Sequence, residues 1–267
     1  MRVLATCLTI GALSSPPSSA RAEDSLRVCA DPNNLPFSDA KGTGFENKLA
    51  ELVASELGKT LSYTWWAQRR GFIRNTLKAG ACDLVMGVPT NYDAVETTLR
   101  YYRSAYVFVS RADRELDVTS LADDRLRTLK IGVHLVGDDG MNTPPAHVLG
   151  ARGMVSNVVG YSIFGDYREP SPALRPIQAV ESGTLDVAAV WGPFAGYEAK
   201  HASAPLHIDM IARTDDYAPL QFAFDISMGV RKGDDKLKRR LDDIIRRKSG
   251  VIHALLESYG VPLVDGD

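Results

Sequence analysis

Two stretches in opposite halves of the chain are built to one plan, and they constrain the fold more than any other feature. Residues 76–87 read TLKAGACDLVMG and residues 179–190 read AVESGTLDVAAV. Each is a helix end, a glycine, an aspartate and an apolar strand, and the glycine suits the left-handed residue that closes a helix. Around each copy, short apolar runs alternate with helical patterns. Strands are predicted over 26–30, 61–65 and 82–87, with helices over 44–57 and 71–78. In the second half strands are predicted over 129–133 and 186–191, helices over 144–152 and 176–182, and Ile163 opens a further strand. Strand and helix in alternation imply parallel βαβ units. Two similar α/β units with their clefts facing each other is the economical reading. The chain must then cross twice between lobes, first along the aromatic-apolar run 105–111 and again along 222–230, before helices over 234–248 and 251–259 pack back on the first lobe.

The N-terminus reads as a secretory signal. Arg2 supplies the positive region, residues 3–13 are a short apolar run, and Ala20-Arg21-Ala22 gives a small-x-small cleavage pattern. That run is too short to span a bilayer as a mature helix. Residues 1–22 are therefore assigned as signal peptide, 23–107 plus 227–267 as lobe one and 108–226 as lobe two, in a protein exported to a bacterial periplasm. Cleavage removes two arginines and no acid, so the formal charge of −2 becomes more negative. This balance argues against a nucleic-acid partner. The basic residues between Lys236 and Lys248 alternate with Leu237, Leu241, Ile244 and Ile245, as on the solvated face of a helix. Two cysteines survive processing, Cys29 and Cys82. In an oxidising compartment such a pair suggests a disulfide, with two buried free thiols as the alternative.

Enzyme signatures are weak. There is no Gly-x-Ser-x-Gly, His-Glu-x-x-His or P-loop pattern. His134, His147, His201, His207 and His253 are scattered, and no metal site or cofactor is expected. Gly137-Asp138-Asp139-Gly140 follows a strand but lacks a dinucleotide fingerprint, and its two acids would repel phosphate.

Several ordered motifs carry a family resemblance. A strand, a Pro-Phe loop and then Gly44-Phe45-Glu46-Asn47-Lys48-Leu49-Ala50 resemble the opening of type II periplasmic solute-binding proteins. Residues 28–37 (VCADPNNLPF), 68–72 (QRRGF), 82–89 (CDLVMGVP) and Trp191-Gly192-Pro193 together resemble the MxaJ/XoxJ family, solute-binding-like proteins associated with quinoprotein methanol dehydrogenases. The resemblance implies the type II periplasmic-binding-protein fold, an α/β architecture of two lobes with a cleft and two crossover strands.

Ligands in such sheets meet the carboxyl ends of the strands. The candidates are Asp31, Asn33, Asn34 and Phe37 after the first strand, and Trp66, Gln68, Arg69 and Arg70 after the second. Gly87, Pro89, Tyr92 and Asp93 follow the third, with Tyr102 on the crossing strand. From the second lobe come His134, Asp138, Trp191, Pro193 and Tyr197. Amino-acid-binding relatives use a Thr-x-x-Arg turn to clamp a carboxylate, but here that turn is Thr90-Asn91-Tyr92-Asp93. Where they place an aspartate for the amine, this chain has Trp191. Both charges of that clamp are absent. Three function classes follow. The first, implied by resemblance, is an accessory protein whose cleft engages a PQQ-dependent methanol dehydrogenase or its cofactor during maturation or activation. The second is the substrate-binding subunit of an ABC importer for a small polar or anionic solute, for which Arg69 and Arg70 could be compensating cations; whichever reading holds, the cleft is open to a small-molecule or peptide ligand. The third is an enzyme such as a dehydratase, with Asp31, Glu46 or Asp93 as general acid or base.

Overall fold

The computed structural model describes residues 25–136, 142–163 and 167–264. The signal assignment and Asp138 lie outside the described residues. Chain order runs β1 (Ser25–Ala30), β2 (Asn33–Asn34), β3 (Ser38–Asp39), α1 (Phe45–Leu57), β4 (Thr60–Trp65), α2 (Phe72–Asn75), β5 (Leu84–Pro89) and β6 (Glu96–Arg111). It continues with β7 (Ile131–Leu135), α3 (Pro144–Ala151), β8 (Val158–Ser162), α4 (Arg175–Glu181), β9 (Val187–Trp191), α5 (Gly192–His201) and β10 (Leu206–Met210). The chain returns through β11 (Ala223–Val230), α6 (Asp235–Arg247) and α7 (Ser249–Ser258).

One continuous sheet runs β4-β1-β5-β11-β6-β9-β7-β8, with β10 also paired to β6. The repeated βα units pair in parallel, β1 with β4 and β5, and β7 with β8 and β9. The two crossover strands are antiparallel to their neighbours. β6 is longer than its aromatic stretch suggests. Its first part pairs with β11 and its last residues pair with β9 and β10. Both lobes therefore hang from one sixteen-residue strand.

Each lobe covers both faces of its sheet. In lobe one, Leu26, Val28, Leu84 and Met228 pack under α1, α6 and α7, while Cys29, Val85, Leu77 and Phe72 form a layer on the opposite face. Lobe two has the same two layers, one around Phe108, Ile131 and Leu149 and the other around Val107, Ile177 and Phe194. Apolar strands buried on both faces are what parallel sheets with helical cover demand. Cys29 and Cys82 are disulfide-bonded, with Cα atoms 5.5 Å apart. The bridge lies in the smaller layer, where both cysteines are buried.

Three elements differ from expectation. The helix predicted over 71–78 is a single turn, because the Thr76 hydroxyl bonds the Phe72 carbonyl at 2.6 Å and Thr76 leaves helical geometry. Ile163 does not open a strand, since it follows the end of β8. Residues 192–201 form α5, with Pro193 in its first turn. Among the described residues no helix is long and apolar enough to cross a membrane, and no cluster of His, Cys, Asp and Glu could hold a metal.

Candidate functional site

The loop after β1 is organised by one carboxylate. Asp31 is buried, and its Oδ1 accepts the Asn33 amide at 2.8 Å. Its Oδ2 accepts the Gln68 amide at 2.7 Å and the hydroxyl of Tyr167. A carboxylate with three donors is held rigidly and its desolvation is largely repaid. Asn33 reaches the second lobe with both ends of its amide, donating to the Glu169 carbonyl and accepting from Ser171 N, each at 2.8 Å. Arg69 lies 4.7 Å over the Tyr167 ring. Residues 167–171 thus form a strap from lobe two across the mouth of the cleft.

Behind the strap, the Pro-Phe loop is pinned to the start of α1. Phe45 N and Glu46 N donate to the Pro36 and Phe37 carbonyls at 2.8 and 2.9 Å, satisfying two donors that a helix start leaves open. Gly44 is required there, because a Cβ would fall 2.1 Å from the Phe37 oxygen. This packing points Phe37 across the cleft to Phe194, ring to ring at 5.1 Å. It also sets the Glu46 carboxyl above Gly87, where a Cβ would fall 2.1 Å from Oε1. Glu46 receives no hydrogen bond from the described residues. Burial, with Asp31 nearby, pushes its pKa up to about 8.

Between these groups lies a cavity of about 440 Å³, within the usual range of small-ligand sites. Its walls are Phe37, Val88, Pro89, Val136, Ile163, Trp191, Phe194 and Ile226. Its polar groups are Asp31, Asn33, Asn34, Glu46, Gln68, Tyr102 and Tyr167, so the described lining holds two acids and no base. Burial raises Tyr102 well above the usual phenol range, and burial with the bond to Asp31 does the same to Tyr167. Trp191 ends β9 and packs on Tyr106 and Phe224 from the crossover strands. The indole therefore stands in the cleft, at the end of β9.

Of the residues singled out in the sequence, Asp31, Asn33, Asn34, Phe37, Gln68, Gly87, Pro89, Tyr102 and Trp191 meet in this lining. The others are placed elsewhere. Trp66 is 45% exposed, while its neighbour Trp65 stacks on Tyr63. Arg69 stacks on Tyr167 outside the lining, and Arg70 is exposed, so neither is among the residues that line the cavity. Tyr92 and Asp93 sit exposed in the turn after β5, where Asn91 takes a left-handed backbone. The acid facing the cavity is Glu46 rather than Asp93. His134 is fully buried behind Phe194, its Nε2 at 2.7 Å from the Ala173 carbonyl, and burial pushes its pKa down to about 4. Pro193 is buried in the first turn of α5, and Tyr197, one turn on, packs against His201 and Tyr259. Val88, Val136, Ile163, Tyr167, Phe194 and Ile226 were not anticipated. A proline after the Trp-Gly pair is a helix-start signal that would have put Phe194 on α5.

A model of the bacterial extracellular solute-binding proteins, family 3, matches residues 26–262. The chain is 31% identical over 251 residues to the protein MoxJ of Methylorubrum extorquens, covering 90% of this chain and 81% of that protein. Among solved structures it is similar to the periplasmic binding protein XoxJ from Methylobacterium extorquens AM1. That match has 37% identity and a TM-score of 0.74, with 90% of this chain and all of that chain covered. It is also similar to MxaJ from Methlophaga aminisulfidivorans MPT, at 27% identity and a TM-score of 0.75 over the same shares.

Proposed function

Because the chain belongs to the bacterial extracellular solute-binding proteins of family 3, and within them to the MxaJ/XoxJ family, we propose that it is a periplasmic accessory protein of a PQQ-dependent methanol dehydrogenase. Its cleft engages a segment of the dehydrogenase during maturation or activation. The family is one of binding proteins, not of enzymes. The lobes of this reading are residues 23–107 with 227–267, and 108–226, the first preceded by a signal peptide at 1–22.

The observation that carries the reading is the composition of the cleft. The amino-acid clamp is gone, and its place is taken by Trp191 among Phe37, Tyr102 and Phe194. Aromatic walls with a few fixed polar groups suit a protein hot spot. Two acids without a base disfavour the quinone cofactor, a tricarboxylate, so the dehydrogenase polypeptide is the better partner. The test is a calorimetric titration of the mature protein against apo-dehydrogenase, with Trp191→Ala as control. Binding that weakens at least tenfold in the variant supports the reading, and no heat at micromolar protein overturns it.

A second reading, the receptor of an importer, is favoured by the cavity, whose volume suits a small solute and beside which the strap bonds across the cleft. It predicts thermal stabilisation by one metabolite and no binding to the dehydrogenase. The lining disfavours an anionic solute.

A further inference from the structure

The cavity has a polarity of its own. Glu46 projects into it over Gly87, the one position on β5 where the absence of a side chain leaves room for the carboxyl. The Asp31 oxygens are already engaged by Asn33, Gln68 and Tyr167, whereas Glu46 has no donor from the described residues. Among the described residues the titratable groups coupled to it are Asp31, Tyr63, Tyr101 and Tyr102, and the Arg69 guanidinium lies farther out, over the Tyr167 ring. The coupled groups are all acids. The walls add the rings of Phe37, Trp191 and Phe194, and an aromatic ring can attract a cation through its quadrupole. An anion would meet two carboxyl groups, and an apolar ligand would bury Glu46 without a partner, which costs free energy.

We propose that the cavity is a receptor for an organic cation, a primary ammonium or guanidinium on an apolar stem, with Glu46 as its counter-ion. This rests on the cleft being the binding site in the reading above. The same chemistry is offered by a free amine and by a Lys or Arg side chain of the dehydrogenase. Gly87 is then the position that makes room for the counter-ion, and Trp191, in place of an acid, is the wall for the stem. Because the Glu46 carboxyl holds its proton up to about pH 8, seating a cation expels that proton to solvent. Affinity must therefore rise with pH across neutrality.

The experiment is calorimetry on the full mature chain with three probes of one shape, benzylammonium, benzyl alcohol and benzoate, at pH 6.0 and 8.5. A blocked tripeptide with a central lysine is the fourth probe. Benzylammonium should bind at least about tenfold tighter than the other two at pH 8.5. It should tighten at least about tenfold from pH 6.0 to 8.5 and release a proton, read from buffers of different ionisation heat. Glu46→Gln should remove both the preference and the proton release. Benzyl alcohol or benzoate binding as well as benzylammonium, no cationic probe binding by about 10 mM, or an unchanged E46Q protein would each overturn the proposal. The ligand series needs no variant, so it decides even if E46Q misfolds. A lysine peptide tighter than benzylammonium identifies a presented side chain, and the reverse order a free amine; both support the site. Benzylammonium bound without any dehydrogenase binding would sink the accessory reading and leave the cation site standing.

Discussion

Asn33 and Ser171 belong to different lobes, and the Ser171 amide donates to the Asn33 side-chain oxygen at 2.8 Å. With the Glu169 carbonyl taking the other end of that amide, one side chain fastens the strap across the cleft. A typical hydrogen bond contributes about 1 kcal/mol net. Asn33→Ala should therefore cost about 1–2 kcal/mol and speed hydrogen exchange at the Ser171 amide. An exchange rate equal to that of the parent would show that the strap is held by Tyr167 alone.

Stability should fall with pH across neutrality. The Glu46 carboxyl titrates near pH 8 when folded, against 4.5 for a free side chain. The folded state thus holds a proton that the unfolded state has lost between those values. Stability must decline through this window, by an amount on the order of 4–5 kcal/mol if it acts alone. His134 works the other way. Its folded pKa near 4 lies below the ordinary imidazole value of 6.5, so the unfolded state binds the extra proton and stability rises from pH 4 to 6.5. The two slopes oppose each other up to about pH 6.5, and the net decline should appear between there and pH 8. Glu46→Gln should remove that decline and expose the rise due to His134, measured by urea midpoints at half-unit pH steps.

The disulfide links β1 to the residues just before β5, across a sequence separation of 53. Disulfides typically contribute about 2–4 kcal/mol, or roughly 5–15 °C in a chain of this size. Melting of the Cys29→Ala/Cys82→Ala protein should fall within that range. An unchanged melting temperature would mean that the loop stays ordered through the Leu77 and Phe72 layer alone.

Two glycine substitutions should behave oppositely. A methyl at Gly87 meets only the carboxyl tip of Glu46 at 2.1 Å, a group that can swing aside. Gly87→Ala should leave stability within about 1 kcal/mol while displacing Glu46, which shows as loss of its titration near pH 8. At Gly196 the methyl would lie 1.7 Å from the Gly260 oxygen, main chain that cannot turn away. Overpacking of this kind costs about 1–3 kcal/mol or more. Comparison of the two melting curves tests the assignment.

The fold was legible because its grammar is local. Gly44 and Gly58 bracket α1, whose apolar residues recur at Phe45, Leu49, Val53 and Leu57, and β5 and β9 follow the two repeated Gly-Asp signals. The site was legible where strand ends carry it, at Asp31 to Phe37, Gly87 and Trp191. It was not legible where distance decides. Nothing local to Tyr167 announces that its hydroxyl will close on Asp31, 136 positions away. Nor does pattern reveal that Tyr92 and Asp93 stay exposed in the turn after β5, outside the cavity lining. Glu46 was visible as an acid, but its role depends on Gly87, on β5.

Lobe one is assembled from the two ends of the chain. β11 lies between β5 and β6 in its sheet, and α6 and α7 cover the core under Leu26 and Val28. A polypeptide emerging amino end first therefore presents an incomplete first lobe, with β5 unpaired along one edge, until nearly all of it is available. Lobe two has its last strand by Met210 and its core closes with Phe222, just before β11 begins. The order of appearance thus runs opposite to the order of numbering, and the second lobe can serve as the template on which β6 is already laid out when β11 arrives. A chain cut after residue 222 should retain the second lobe's cooperative melt and leave the first as an open sheet, prone to pair with its neighbours.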